Sequence, residues 1–295
     1  MRYFDTLHPV TAAFYFASVL LTSVFSSSPA LQLSSLAGGI AFAVVLGRGK
    51  RRRWGETVFD IVLFALIVIT NPLFVHKGAT HLFRLNGRPV TLEATLYGVG
   101  VAVMLLSAVL WFRCFNEIMT SDKLLCLFGK AAPKISLLLS LSLRSVPLFK
   151  KRARMIRDAQ KTMGLYAADG WFCRLRASMR TYSALVTQSL EGAIDMGTSM
   201  KSRGYGLNKG RTSFALFRFT KRDCILCSVI ACADGITIAA GACGRLDFSF
   251  YPHITAARWD ALTTAAAAAF FILSFLPFIL EVKEDIKWRF CRSKI

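Results

Sequence analysis

The chain has 295 residues, is 54% apolar and carries a net charge of +20, with a mean hydropathy of +0.48. A water-soluble domain of this length does not combine such hydropathy with long uncharged runs. Nucleic acid is the other common partner of so basic a chain, and the apolar runs set it aside. What remains is a membrane protein with one basic face, placed to meet anionic lipid on the cytoplasmic side.

The N-terminal "MRYFDTLHPV" lacks the marks of a cleavable signal, so the first apolar run is expected to be retained as a span. Crossing a bilayer takes about 20 apolar residues as a helix. Six segments meet or approach that length: about 10–27, 31–47, 57–75, 94–112, 224–242 and 260–280, the second being short. Asp60 and Asp234 fall inside spans, where a carboxylate is a functional candidate by default. Asp60 reads as an interfacial residue. For Asp234, a pathway role and a hydrogen bond between helices are equally good readings.

Orientation follows from Lys and Arg in the loops. "GRGKRRR" (Gly47–Arg53) joins the second and third spans, so that loop is expected in the cytoplasm. Alternation puts both termini and the section 113–223 on the same side. Only Lys77, Arg84, Arg88, Arg245 and Arg258 then fall outside.

This gives three parts: N-terminal membrane helices over 1–112, a basic cytoplasmic section over 113–223, and C-terminal membrane helices over 224–295 with a short basic tail. The middle section holds 21 basic and 7 acidic residues, set on helical patterns. "KISLLLSLSLRSVPLF" (Lys134–Phe149) predicts a helix at the membrane interface, interrupted by Pro147. A basic helix should follow over Pro147–Gly164, with a stripe of Phe149, Ala153, Ile156 and Met163. A second long helix is expected over 177–203, with Val186, Leu190, Ala193, Gly197 and Met200 in one row. Gly192, Ala193 and Gly197 are small enough for another helix to cross closely. Gly164 and Gly204 read as helix stops.

Both helices therefore end in a glycine with cations in the last turns. A cation there complements its own helix by roughly 0.3–1 kcal/mol when exposed. That does not account for the pattern occurring twice, on helices that also carry apolar rows. A rigid guanidinium such as Arg203 at a protruding helix end suits a partner groove offering carboxylates or carbonyls.

Other motifs are weaker. Cys224 and Cys227 form a C-x-x-C with no second pair at zinc spacing, and they open an apolar run, so packing is the better reading. His8, His76, His81 and His253 have no carboxylate cluster around them in sequence, and no metal is expected. No G-x-x-x-x-G-K-[ST], H-E-x-x-H or G-x-S-x-G is present, so no catalysis and no cofactor are expected of this chain.

At "NPLF" (Asn71–Phe74), "HKGATHLFRLNGRPVTLEA" (His76–Ala94), "LRSVPLFKKRARMIRDAQKTMG" (Leu143–Gly164), "SLEGAIDMGTSMKSRGYG" (Ser189–Gly206) and "GRTS" (Gly210–Ser213), the chain resembles the transmembrane T component of energy-coupling factor transporters. The likeness runs over nearly the whole chain. It implies an all-α integral membrane protein of about six spans plus two long crossing coupling helices, in the prokaryotic cell membrane. Its implied partners are two ATP-binding-cassette ATPases, which hydrolyse ATP, and a small integral-membrane S component, which binds a vitamin or metal ion.

In that family each coupling helix ends in an Ala-Arg-Gly-type motif inserted into an ATPase groove. The resemblance carries the second motif to Ser202-Arg203-Gly204 and the first to Thr162-Met163-Gly164. Met163 stands where the family has arginine. Either Arg157 or Lys161 supplies the charge from the preceding turns, or Met163 packs into an apolar groove. Gly192, Ala193, Gly197 and Met200 fall where the helices cross or meet the S component. Two other functions remain open: a membrane enzyme on anionic lipids using Asp158, Glu191 or Asp195, and a stand-alone carrier using Asp234.

Overall fold

The computed structural model describes residues 3–47, 54–75, 80–85, 88–164, 166, 170–207, 217, 219–246, 248 and 260–292. They form α1 (Tyr3–Thr6), α2 (Pro9–Phe25), α3 (Pro29–Gly47), α4 (Trp54–Phe74), β1 (His81–Leu85), β2 (Arg88–Thr91), α5 (Leu92–Ile118), α6 (Ser121–Ala131), α7 (Pro133–Thr162), α8 (Trp171–Ser202), α9 (Lys221–Ala242) and α10 (Ala261–Arg292). The chain divides into two compact units. One comprises 1–124 with 217–295; the other, 125–216, is narrower than the basic section read from composition.

In the first unit, α3, α4, α5, α9 and α10 are each long and apolar enough to cross a membrane. The expected short span moves by one place. α2 has 17 residues and α3 has 19. At 1.5 Å per residue α2 measures about 26 Å, just under a hydrocarbon core. It stops at Phe25 because Ser26 turns extended and Ser28 precedes a proline, which disfavours helix. α5 and α10 run past their expected ends, to Ile118 and Arg292.

Side-chain caps mark the entries of several helices. His8 Nδ1 accepts from the Val10 amide, with Pro9 at the first helical position. Thr91 caps α5, and Thr220 with Asp223 forms a reciprocal capping box on α9. One element was not anticipated: β1 and β2 pair as an antiparallel hairpin with Leu85 opposite Arg88. The Asn86-Gly87 pair between them is a strong two-residue hairpin signal, and it is present in the sequence.

The core of this unit is aromatic. Phe4, Tyr15, Phe16, Phe42 and Trp111 are fully buried and meet edge-on or tilted, with centroids 5.4–6.4 Å apart. Trp111 donates its indole N–H to Ser35 Oγ at 3.0 Å. α3 and α10 approach closely at Gly38, where an added Cβ would lie 2.7 Å from both Cβ and O of Ser274. Pro277 sits inside α10 and cannot donate to the carbonyl of Leu273 four residues earlier. The Tyr15 hydroxyl donates to that carbonyl at 3.0 Å, replacing the lost bond from a different helix.

The two carboxylates read inside spans each meet a partner on another helix. Asp60 pairs with Arg113, both of its oxygens 2.8 Å from guanidinium nitrogens. Asp234 Oδ2 accepts from Ser18 on α2, while Oδ1 is buried without a hydrogen-bond partner among the described residues. Cys227 of the C-x-x-C donates weakly to Thr11 Oγ1 at 3.6 Å and Cys224 is exposed; every cysteine of the chain is a free thiol.

The second unit is an antiparallel helix pair. α7 is continuous through Pro147, so the expected interfacial helix and basic helix are one element of 30 residues. The Leu143 carbonyl that loses its partner lies on an exposed stretch of helix, away from a packed face. α8 starts at Trp171, six residues before its expected start.

Candidate functional site

Helix pairing in the second unit decides which residues remain free. Thr181 Oγ1 on α8 donates to Gln160 Oε1 on α7 at 2.7 Å, and the Tyr166 hydroxyl lies 3.2 Å from Thr181 Oγ1. Nearer the other end of the pair, Gly192 faces Arg152, 3.7 Å from where a Cβ would stand. The packed row of α7 includes Phe149, Arg152, Ala153, Ile156 and Gln160, so three members of the expected stripe lie on it. Met163, the fourth, does not. It is 75% exposed.

On α8 the packed row is shifted by one residue from the one read in the sequence. Ala177, Thr181, Leu185, Ser189 and Gly192 line it. Val186, Leu190, Ala193 and Gly197 are exposed, and an added Cβ at Gly197 meets nothing within 4 Å. The hydrogen bond between Thr181 and Gln160 lies in this register and links the two helices; the Thr181 hydroxyl also reaches the Ala177 carbonyl of its own helix at 3.2 Å. Of the four residues expected at a helix crossing, Gly192 and Met200 are half-buried within the chain, whereas Ala193 and Gly197 face outward.

The two helix ends share one construction. Met163 is the cap of α7 at φ −78° and ψ 3°; Arg203 is the cap of α8 at φ −80° and ψ 7°. Gly164 follows with φ +74° and Gly204 with φ +79°, a left-handed turn that favours glycine. The cap amide bonds the carbonyl of Ala159 in α7 and of Ser199 in α8. The preceding hydroxyl, Thr162 or Ser202, donates to that same carbonyl at 2.7 or 2.9 Å. Each glycine amide reaches the carbonyl of a lysine, Lys161 or Lys201, at 3.0 Å. In α8, the Tyr205 amide also bonds Met200 O, completing a Schellman turn.

An offset of forty residues thus maps one end onto the other, down to the lysine. The two differ at the tip. Arg203 is exposed, and its guanidinium has no ion pair among the described residues. Arg157 and Lys161 are also exposed. Gly210–Ser213, singled out in the sequence, lie outside the described residues, as do His76, His253 and residues 48–53. Asp158, Glu191 and Asp195 are each exposed on the outer surface of their helix.

The equivalence of the ends was not visible in the sequence as geometry. The signal that could have exposed it is the repeat K-[TS]-x-G at Lys161–Gly164 and Lys201–Gly204.

A family described as cobalt transport protein, CbiQ, matches residues 4–214. The energy-coupling factor transporter transmembrane protein EcfT of Listeria innocua is 29% identical over 196 residues, covering 61% of this chain and 71% of that protein. Its counterpart in Lactobacillus helveticus is 36% identical over 104 residues, 35% of this chain and 38% of the relative. That of Bacillus selenitireducens is 26% identical over 169 residues, 50% and 63%. With most of its length matched and its spans and paired basic helices in place, the chain belongs to the CbiQ family, as a transmembrane component of the energy-coupling factor transporter type.

Proposed function

We propose that this chain is the coupling scaffold of an energy-coupling factor importer, carrying motion from two ATP-binding-cassette ATPases to a substrate-binding S component during uptake of a vitamin or metal ion. The observation that carries it is the pair of matched helix ends. Each presents its tip residue outward, at the end of a helix of 30 residues in α7 and 32 in α8. Arg203, with Ser202 and Gly204, docks one ATPase; Met163 and Gly164 dock the other, with Arg157 and Lys161 flanking. Chemistry stays with the ATPases, and this chain performs none. Coupling needs only that the docked ends contact the two ATPase conformations with different free energies.

The S component takes the exposed apolar row of α8, with Val186, Leu190, Ala193, Ile194 and Gly197. The apolar first half of α7, with Ile135 and Leu138 exposed, lies at the membrane interface. The excess of Lys and Arg in the loops supports a topology with both termini on the cytoplasmic side of a prokaryotic cell membrane. The test is recovery of ATPases with the tagged full chain from detergent-solubilised membranes of its host. Wild type brings ATPases with it and Arg203→Glu does not; retention by the variant at wild-type level removes Arg203 as an anchor.

A further inference from the structure

We propose that α7 binds an anionic phospholipid of the cytoplasmic leaflet, its headgroup held by Lys150 and Arg154 and its acyl chains lying against Leu139, Leu143 and Val146. This goes beyond the docking reading and does not depend on it. It rests only on α7 lying at the membrane interface.

Positions 139, 143, 146, 150 and 154 recur at helical spacing along one face of α7. Leu139, Leu143 and Val146 are 38%, 40% and 49% exposed, and Lys150 and Arg154 are exposed too. With 3.6 residues per turn, this row stands about 100° round the helix from Phe149, Arg152, Ala153, Ile156 and Gln160, which pack toward α8. Pairing with α8 therefore leaves the row uncovered. Among the described residues neither Lys150 nor Arg154 makes an ion pair, and Asp158, the nearest acid in sequence, makes none either.

The row changes character once, between Val146 and Lys150. Leu139 to Val146 spans about 10 Å and Leu139 to Arg154 about 22 Å along the axis. Hydrocarbon followed by anionic headgroup has the same order and scale at a cytoplasmic membrane surface. Lys and Arg suit the junction, because their stems stay with apolar surface while the charged ends reach outward. Arg144, the one charge between Ile135 and Phe149, is exposed and long enough to reach outward in the same way. A free anion would satisfy the cations and leave the three apolar side chains in water. An acidic protein surface likewise answers the cations alone. A phospholipid answers both halves with one molecule, its phosphate accepting charge-assisted hydrogen bonds and its chains covering the apolar residues.

The experiment places a diazirine-bearing apolar amino acid at position 143 of the full chain. The protein is reconstituted in nanodiscs of phosphatidylcholine and phosphatidylglycerol in equal parts, and the linked lipid is identified by mass spectrometry. Phosphatidylglycerol should be linked at least about fivefold over its bulk share, the enrichment expected from a single cation near the surface. Lys150→Gln with Arg154→Gln should return the ratio to bulk, and Lys150→Arg with Arg154→Lys should keep the enrichment. Linking in the bulk ratio by the wild-type row overturns the proposal, as does the absence of any linked lipid. So does enrichment that survives the double neutralisation. In membranes of the native host, a protein linked at position 143 in place of lipid also overturns it. ATPase recovery through Arg203 is a separate measurement that none of these outcomes decides.

Discussion

In the membrane unit, Phe4, Tyr15, Phe16, Phe42 and Trp111 show no exposed surface, and the carbonyl freed by Pro277 finds a hydroxyl on another helix. In the basic pair, α7 buries none of its 30 residues, and α8 buries Ala177 and Thr181 alone of its 32. Helices in water owe most of their stability to an apolar face packed on something. The first unit supplies that within itself. The second presents Leu138, Leu190 and Ile194 outward and holds its register through a few contacts around Thr181 and Gly192. Precision is thus concentrated at the caps, where each helix end is fixed by three or more local hydrogen bonds. A lever needs a defined tip more than a deep core.

The comparison can be broken most forcefully at Arg203. Arg203→Glu should abolish ATPase recovery, a loss of about 2–5 kcal/mol at a docked charge, while the chain alone keeps its melting temperature in detergent. A fall in melting temperature would mean that this end of α8 supports the fold. Next is Gly38→Leu, which drives a side chain into Ser274; about 3 kcal/mol of destabilisation is expected, read as lost folded protein on size-exclusion chromatography. Tyr15→Phe leaves the Leu273 carbonyl without its donor and should cost about 1–3 kcal/mol in thermal unfolding. The smallest effect is for Thr181→Val, at about 1 kcal/mol. It should raise protease sensitivity within 125–216 and leave the membrane unit intact. Equal sensitivity of both units would show that they are not held separately.

The spans were legible because length and hydropathy alone decide whether a helix can cross a bilayer. The helix stops were legible because Gly164 and Gly204 take a backbone conformation that favours glycine. Three features were not. Pro147 reads as a break, yet α7 continues through it; the Leu143 carbonyl that it leaves without a donor lies on an exposed stretch. Which row of α8 packs on α7 was not legible, because the Val186–Leu190 row and the Leu185–Ser189 row are both plausible until Gln160 is known to face Thr181. The partners Tyr15 and Leu273, or Ser18 and Asp234, lie more than 200 residues apart, and no local pattern joins them.

The contact at Gly38 also restricts how this sequence can drift. Glycine at 38 has no smaller replacement, and Ser274 already presses its own Cβ and backbone oxygen against the vacant position. Substitution at 274 therefore runs toward alanine or glycine and not toward larger residues. Any enlargement at 38 must wait for a shift of the whole of α10, which the Tyr15–Leu273 bond one residue away opposes. Two positions 236 residues apart are thus tied by a backbone contact that no side-chain change at 274 relieves.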